Sequence, residues 1–267
     1  MASSNAAKEN VLEINLNQAL SVARRAAQAA DAVAMEYFRG ELAVETKDDA
    51  SPVTEADRAC ERIIRQTILE TFPDHAIYGE EYGKRGDGSF LWLVDPIDGT
   101  RSFIRGLPFW SVQIALMVDD ELLVGVSSAP AFEETAWAVA GQGAFINDRQ
   151  VRVRELDQLD QADVSFGNLR SLAKGSDWAW AGKIVASAAR CRGYGDFYSY
   201  HRLADGSQDV VIESDVNILD IAALTVIVRE AGGVMTDLAG QAIGLNTTSV
   251  LASSSPLHDQ LLALLHE

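Results

Sequence analysis

The chain has 267 residues, 48% of them hydrophobic, and a formal net charge of −17 at pH 7. That length buries a substantial core, as one large domain or two intimate halves, and that charge repels nucleic acid and anionic membranes over a Debye length of roughly 8 Å at physiological salt. Two cysteines, Cys60 and Cys191, give neither a disulfide framework nor a metal-binding Cys/His cluster, and apolar stretches such as Val112 to Val118 are too short to span a bilayer.

Met1 to Asn10 is small and polar, without the basic and apolar regions of a signal peptide, so the expectation is a frayed terminus on a cytoplasmic protein. Ala-rich helical patterning follows from Val11 to Phe38 and ends near Gly40. Thr54, with Asp57 three residues on, reads as a capping-box-like start to a second helix; Ala59, Ile63, Ile64, Ile68 and Leu69 give it an apolar stripe to about Phe72, before Pro73. Ala76-Ile77-Tyr78 is apolar and leads into Gly79-Glu80-Glu81. Phe90 to Val94, bounded by Gly88 and Pro96, reads as a buried strand. Ser111 to Met117 and Leu122 to Ser127 flank Asp119-Asp120 as a hairpin, and a further strand lies near Thr135 to Ala138.

Gly141-Gln142-Gly143-Ala144 and Val151-Arg152-Val153 bracket a turn and strand, and with no helix behind them those glycines are no dinucleotide fingerprint. Strands at Val164 to Phe166 and Val210 to Ile212 alternate with helices at Trp178 to Ala188 and Ile221 to Ala231, and Pro256 to His266 closes as an amphipathic helix. The alternation is that of α/β layers. Since no repeat, low-complexity segment or charged linker marks a boundary, one domain over residues 1–267 is expected, with a soft division near residue 155.

The chemistry concentrates where the Phe90 to Val94 strand runs into Asp95-Pro96-Ile97-Asp98-Gly99-Thr100. Open α/β sheets collect ligands at the carboxyl ends of their strands, and Gly99 lets backbone N–H groups approach an anion. Asp-Pro and Asp-Gly are also ordinary turn formers. Glu80 upstream and Asp220 downstream, also at element ends, make a site of hard oxygen ligands plausible, and that suits Mg²⁺ beside phosphate. Bound divalent cations would also reconcile the acidic chain with an anionic substrate. No G-x-S-x-G elbow, Walker A lysine motif or Cys-based phosphatase signature is present.

Gly79-Glu80-Glu81, the segment Asp95 to Thr100 with Phe103 and Gly106-Leu107-Pro108, and Asp220-Ile221-Ala222-Ala223 with Glu230-Ala231-Gly232-Gly233 resemble, in order and spacing, the three signatures of the inositol-monophosphatase superfamily of Mg²⁺-dependent phosphatases. Lys47 and Thr54 to Asp57 resemble that family's N-terminal segment. The resemblance implies an α/β fold, a five-layer α-β-α-β-α sandwich, in a homodimer that hydrolyses a small phosphorylated metabolite with two or three Mg²⁺ per active site. It implies a first Mg²⁺ on Glu80, Asp95 and the Ile97 carbonyl and a second on Asp95, Asp98 and Asp220. Glu80, Thr100 and Asp57 would orient the attacking water, and the Gly99 and Thr100 amides would hold phosphate. Asp57 could equally serve the helix start, and Thr100 could be a helix cap.

The segment Arg192-Gly193-Tyr194-Gly195-Asp196-Phe197-Tyr198-Ser199-Tyr200, together with Arg101 to Gly106, is similar to bacterial histidinol-phosphate phosphatases. Inositol phosphatases usually carry a small residue where Asp196 stands. Asp196 and Glu213 are therefore expected at the alcohol, against a substrate ammonium or imidazolium, and Arg192 near phosphate or local acid; Asp196 could instead cap a helix over Phe197 to Ala204. An inositol-1-phosphate phosphatase and a non-catalytic phosphometabolite-binding protein are the alternatives. One departure stands out: the family normally has Trp where this chain has Leu219; Trp110 could supply the missing aromatic wall, or equally belong to the core or a subunit interface. Asp215 is expected on solvent.

Overall fold

A computed structural model describes residues 15–38, 40, 44–46 and 52–265. The expected features at Met1 to Asn10 and at Lys47 lie outside the described residues. The opening helix, as described, is α1 (Leu16–Phe38); β1 (Val44–Thr46) and β2 (Pro52–Thr54) pair ahead of α2 (Glu55–Thr71). Then come β3 (Ala76–Gly79), β4 (Gly83–Arg85), β5 (Phe90–Asp98), the short α3 (Thr100–Ile104), β6 (Ser111–Val118), β7 (Glu121–Ala129), β8 (Glu134–Val139), β9 (Ala144–Ile146) and β10 (Arg149–Val151). The second part of the chain gives β11 (Asp163–Phe166), α4 (Leu169–Lys174), α5 (Trp178–Ser187), β12 (Arg190–Arg192), α6 (Asp196–Ala204), β13 (Val210–Ser214), α7 (Ile218–Glu230), β14 (Val234–Thr236), β15 (Ser249–Ser253) and α8 (Ser255–Leu265).

Two sheets organise these elements: an eight-stranded one in the order β10-β9-β8-β7-β6-β5-β3-β4 and a five-stranded one in the order β12-β11-β13-β15-β14. Period-2 alternation divides their side chains between cores. In β5 and β6, Trp92, Val94, Val112, Ile114 and Leu116 face α1 and α2, whereas Leu91, Leu93, Ala115 and Met117 face α6 and α7. In the second sheet Val211, Val250 and Ala252 face the same middle helices, while Val210, Ile212 and Leu251 meet Trp180, Ile184, Leu257 and Leu261 of α5 and α8. The result is the five-layer α-β-α-β-α sandwich expected from the resemblance.

Sandwiched between two sheets, α7 is buried on nearly all sides, from Ile218 to Val228, so it carries no amphipathic stripe. It approaches β7 so closely that a Cβ on Gly125 would stand 2.4 Å from the Ala223 carbonyl oxygen. A buried polar line ties α6 to the first sheet: His201 Nδ1 lies 2.7 Å from Glu134 and its Nε2 2.8 Å from Ser127 Oγ. Burial holds His201 below its ordinary pKa. Ser127 is fully buried in strand β7, so this trio is a structural tie and not a nucleophile with its base.

Candidate active site

The expected buried strand runs on past Val94 through Asp98. In a regular strand, residues three apart point to opposite faces. Here the pairing of β5 with β6 slips between Asp95 and Asp98, at Pro96, which has no N–H to give to the ladder. The irregularity turns both carboxylates into one cleft, and Asp95 is fixed there by the Ile97 amide, which donates to its Oδ1 at 3.0 Å. Gly99 then adopts a left-handed conformation (φ 85°), and α3 begins at Thr100. A Cβ at Gly99 would sit 2.7 Å from the Phe109 carbonyl oxygen, so the turn needs glycine for both conformation and space.

Asp220 arrives from the start of α7, three residues into a capping box. The Asn217 amide donates to its Oδ2 at 2.8 Å and the Asn217 side-chain NH₂ to its Oδ1 at 2.9 Å, while Asn217 Oδ1 accepts from Leu219 N at 2.7 Å. This helix begins one turn earlier than the hydrophobic pattern from Ile221 indicates, so Asp220 lies within its first turn. One carboxylate oxygen from each of Asp95, Asp98 and Asp220 lies within 4.8 Å of the others.

Glu80 follows β3, its amide donating to the Val94 carbonyl at 3.3 Å, and it lines the same cleft of about 510 Å³ with Gly99, Thr100, Asp196 and Glu213. Behind it stands a residue that sequence reasoning missed. Glu61, fully buried in α2, accepts from the amides of Glu81 (2.6 Å) and Tyr82 (3.3 Å) and from Arg65 Nε (2.7 Å), while Arg65 also donates to the Gly83 carbonyl. Its carboxylate takes the space that a side chain at position 79 would need, since a Cβ on Gly79 would stand 2.1 Å from Glu61 Oε1. The signal was available: Asp57, Glu61 and Arg65 recur every fourth residue beside the apolar stripe of α2, on one face.

Asp57 is buried in the first turn of α2 and reaches Thr100: Thr100 Oγ1 lies 3.4 Å from its Oδ1 and 3.1 Å from the Ile97 carbonyl oxygen. Asp196 is the first residue of α6, in left-handed conformation (φ 49°), and its Oδ2 lies 3.4 Å from where a Gly99 Cβ would be. Gly195, not the Asp196 side chain, occupies the N-cap position. Glu213, at the end of β13, accepts from Tyr200 Oη at 2.8 Å.

The structure corrects one expectation and decides between the alternatives for another. Arg192 is not among the residues lining the cleft: its exposed guanidinium donates to the Cys191 carbonyl at 2.7 Å and lines a neighbouring depression with Tyr194, Tyr198 and Arg202. Trp110 is no cleft wall: it is fully buried against Phe38 and Phe103, with ring centroids 5.4 and 4.8 Å away. Leu219 is buried in the middle core, and Asp215 is exposed as expected.

Electrostatically the cleft is starved of positive charge. Burial pushes the Asp95 and Asp98 carboxyls well above their ordinary range, with Glu80 adding most to the first and Asp196 to the second. Burial likewise raises Asp196 and Asp220 to about 6 and Glu213 to about 8, the last despite the hydrogen bond from Tyr200. Arg101, the one basic residue among the described residues lining the cleft, is exposed. Buried like charges at this spacing fit a divalent cation, and an all-oxygen donor set fits a hard one.

Comparison with known proteins agrees with this geometry. The chain is 38% identical to the histidinol-phosphatase of Streptomyces coelicolor, over 93% of this chain and 97% of that protein. It is 34% identical to a fructose-1,6-bisphosphatase/inositol-1-monophosphatase of Aquifex aeolicus, over 93% of this chain and 95% of the relative. The crystal structure of the extragenic suppressor protein SuhB from Bartonella henselae superposes with a TM-score of 0.87 at 29% identity, covering 94% of this chain and 99% of the other. A strand broken at Pro96 to gather Asp95 and Asp98, a helix start that adds Asp220, and a family model matched over residues 15–267 lead to one conclusion: the chain belongs to the inositol monophosphatase family.

Proposed function

We propose that this chain is a Mg²⁺-dependent phosphomonoesterase whose substrate is L-histidinol phosphate, the activity named in its Streptomyces coelicolor relative. One observation carries the choice of alcohol: Asp196 and Glu213 share the cleft with Asp95, Asp98 and Asp220. Acid beyond the ligand set calls for a cation on the substrate, which histidinol phosphate has and a polyol phosphate lacks.

Glu80, Asp95, Asp98 and Asp220, with the Ile97 carbonyl, would hold two Mg²⁺. Mg²⁺ there would lower the pKa of an attacking water and neutralise the phosphoryl oxygens and the leaving alkoxide, as hydrolysis of so inert an ester demands. Thr100 has one hydroxyl proton and two acceptors behind it, Asp57 and the Ile97 carbonyl. Its lone pairs are thus left to accept from a water in the cleft, which fixes that water's orientation toward phosphorus. The Gly99 and Thr100 amides, at the start of α3 where no helical carbonyl serves them, would hold phosphate oxygens. A Thr100 hydroxyl whose proton is directed to Asp57 and the Ile97 carbonyl, with lone pairs left for a water, favours a catalytic role over binding alone. The family's homodimer is expected with this function, and sedimentation of the purified chain tests it.

The Aquifex aeolicus relative favours a second reading, an inositol-1-phosphate phosphatase. Phosphate release from L-histidinol phosphate and from myo-inositol 1-phosphate, with Mg²⁺ and with EDTA, decides between them. A kcat/KM at least tenfold higher on histidinol phosphate is expected; preference for the inositol ester would overturn the substrate and leave the metal site standing.

A further inference from the structure

We propose that Tyr194 is a specificity-determining residue, a ring platform in the alcohol half of the cleft that binds the flat, cationic end of the leaving group. The inference rests on the histidinol phosphate reading and deepens it, adding an aromatic contact to the carboxylates already named.

Tyr194 lines the cleft and is 49% exposed, unusually open for an aromatic side chain placed among buried carboxylates. It is nevertheless held. Its ring stacks on Phe109 at 5.6 Å between centroids and 21° between planes, and meets Tyr198 edge to face at 5.3 Å and 69°. Phe109 and Tyr198 brace each other at right angles, 5.6 Å apart. The stack covers one face of the Tyr194 ring; the rest of the side chain stands at the border of the cleft and the depression beside Arg192, and lines both.

The backbone is pinned on both sides as well. A Cβ on Gly193 would stand 2.7 Å from the Phe166 carbonyl oxygen, and Gly195 has φ 69°, a conformation that side-chain-bearing residues rarely adopt. The glycines flanking Tyr194 therefore set the loop so that its ring is presented ahead of Asp196, two residues on. No step assigned to Glu80, Thr100 or Asp57 uses this ring.

An imidazolium is planar, aromatic and positively charged, so it gains from an aromatic face by stacking and by attraction to the ring quadrupole. A neutral polyol gains neither, and an aliphatic amine lacks the flat surface. With phosphate at Gly99 and Thr100 and the ammonium at Asp196, the ring supplies a third point of recognition that is made before the chemical step. It should appear in KM more than in kcat.

The test compares wild type, Tyr194→Phe and Tyr194→Leu on L-histidinol phosphate, myo-inositol 1-phosphate and phosphoethanolamine, with Mg²⁺-dependent melting as a check on fold. For histidinol phosphate, Tyr194→Leu should lower kcat/KM about 5- to 30-fold, mostly through KM, the range of an aromatic contact with a cation. Tyr194→Phe should stay within about twofold of wild type, since the ring and not the hydroxyl makes the contact. The two other esters should change less than about threefold. Equal losses on all three would reduce Tyr194 to a wall or contact of general importance, and no loss on histidinol phosphate would remove it from the site; either overturns the proposal. A wild type that prefers the inositol ester fails the underlying substrate reading. A wild type that prefers histidinol phosphate with no selective loss in Tyr194→Leu fails the Tyr194 assignment alone.

Discussion

Replacing Gly125 by alanine tests whether the closeness of β7 and α7, far from any reacting atom, sets the geometry of the acidic site. The added Cβ would lie 2.4 Å from the Ala223 carbonyl oxygen and 3.0 Å from its Cα, both backbone atoms that no rotamer change can move. Ordinary contact needs about 3.5 Å, so α7 must retreat from the sheet by about 1 Å. Overpacking of this kind costs about 1–3 kcal/mol. Asp220 lies one turn ahead of Ala223 on the same helix, so the retreat carries it away from Asp95 and Asp98. A displacement of that size in a positioned group costs about 100-fold in rate. Gly125→Ala should thus lower the urea midpoint and, in the fraction still folded, kcat/KM with Mg²⁺. Ala223→Gly should not rescue it, because the obstructing atoms are main chain. A folded Gly125→Ala protein with unchanged midpoint and kcat/KM would refute the reasoning.

Asp98→Asn should abolish turnover and the Mg²⁺-dependent rise in melting temperature, yet be at least as stable as wild type in EDTA, because it removes one of several crowded charges; lower stability in EDTA would remove Asp98 from that cluster. Wild type in EDTA should lose stability as pH rises. Asp196 and Asp220 bind protons more tightly folded, near 6, than unfolded, near 3.8, so their contribution is full below 3.8 and lost up to about 6, and Glu213 extends the loss from 4.5 to about 8. For Asp220 alone the shift corresponds to about 3 kcal/mol, shared with its neighbours; saturating Mg²⁺ should flatten the slope, and a flat urea midpoint across pH 4–8 in EDTA would contradict it. Glu61→Gln should destabilise by about 1–3 kcal/mol and weaken Mg²⁺ binding at least tenfold through Glu80, measured by Mg²⁺-dependent melting. Loss of stability with unchanged Mg²⁺ affinity would make Glu61 a structural residue only.

The sequence carried most of the layers. Strands β5, β6 and β7 were legible because each turns apolar side chains toward helices on both faces, and helix α2 because one face is apolar. The Asp95 to Thr100 segment and Asp220 were legible as paired acids at element ends, and the resemblance placed them in one site. The start of α7 was not legible, because a helix buried on nearly all sides has no polar face to mark its register. For Glu61 the face shared with Asp57 and Arg65 was readable, but not its partners, the amides of Glu81 and Tyr82 some twenty residues ahead.

What the sequence determined by itself was the donor chemistry: carboxylates and a glycine turn, with no nucleophile motif. Only the tertiary structure decided which of those groups meet. It turned Asp95 and Asp98 into one cleft through a slipped register at Pro96, and brought Asp220 to them from the far half of the chain. It also left Arg192 outside the cleft in a neighbouring depression, buried Trp110 in the core and left the ring of Tyr194 open. The reason is physical: residue type fixes what a side chain can donate, accept or coordinate. The direction in which it points follows from strand register and from the element packed against it, and both are settled by contacts between segments far apart in the chain.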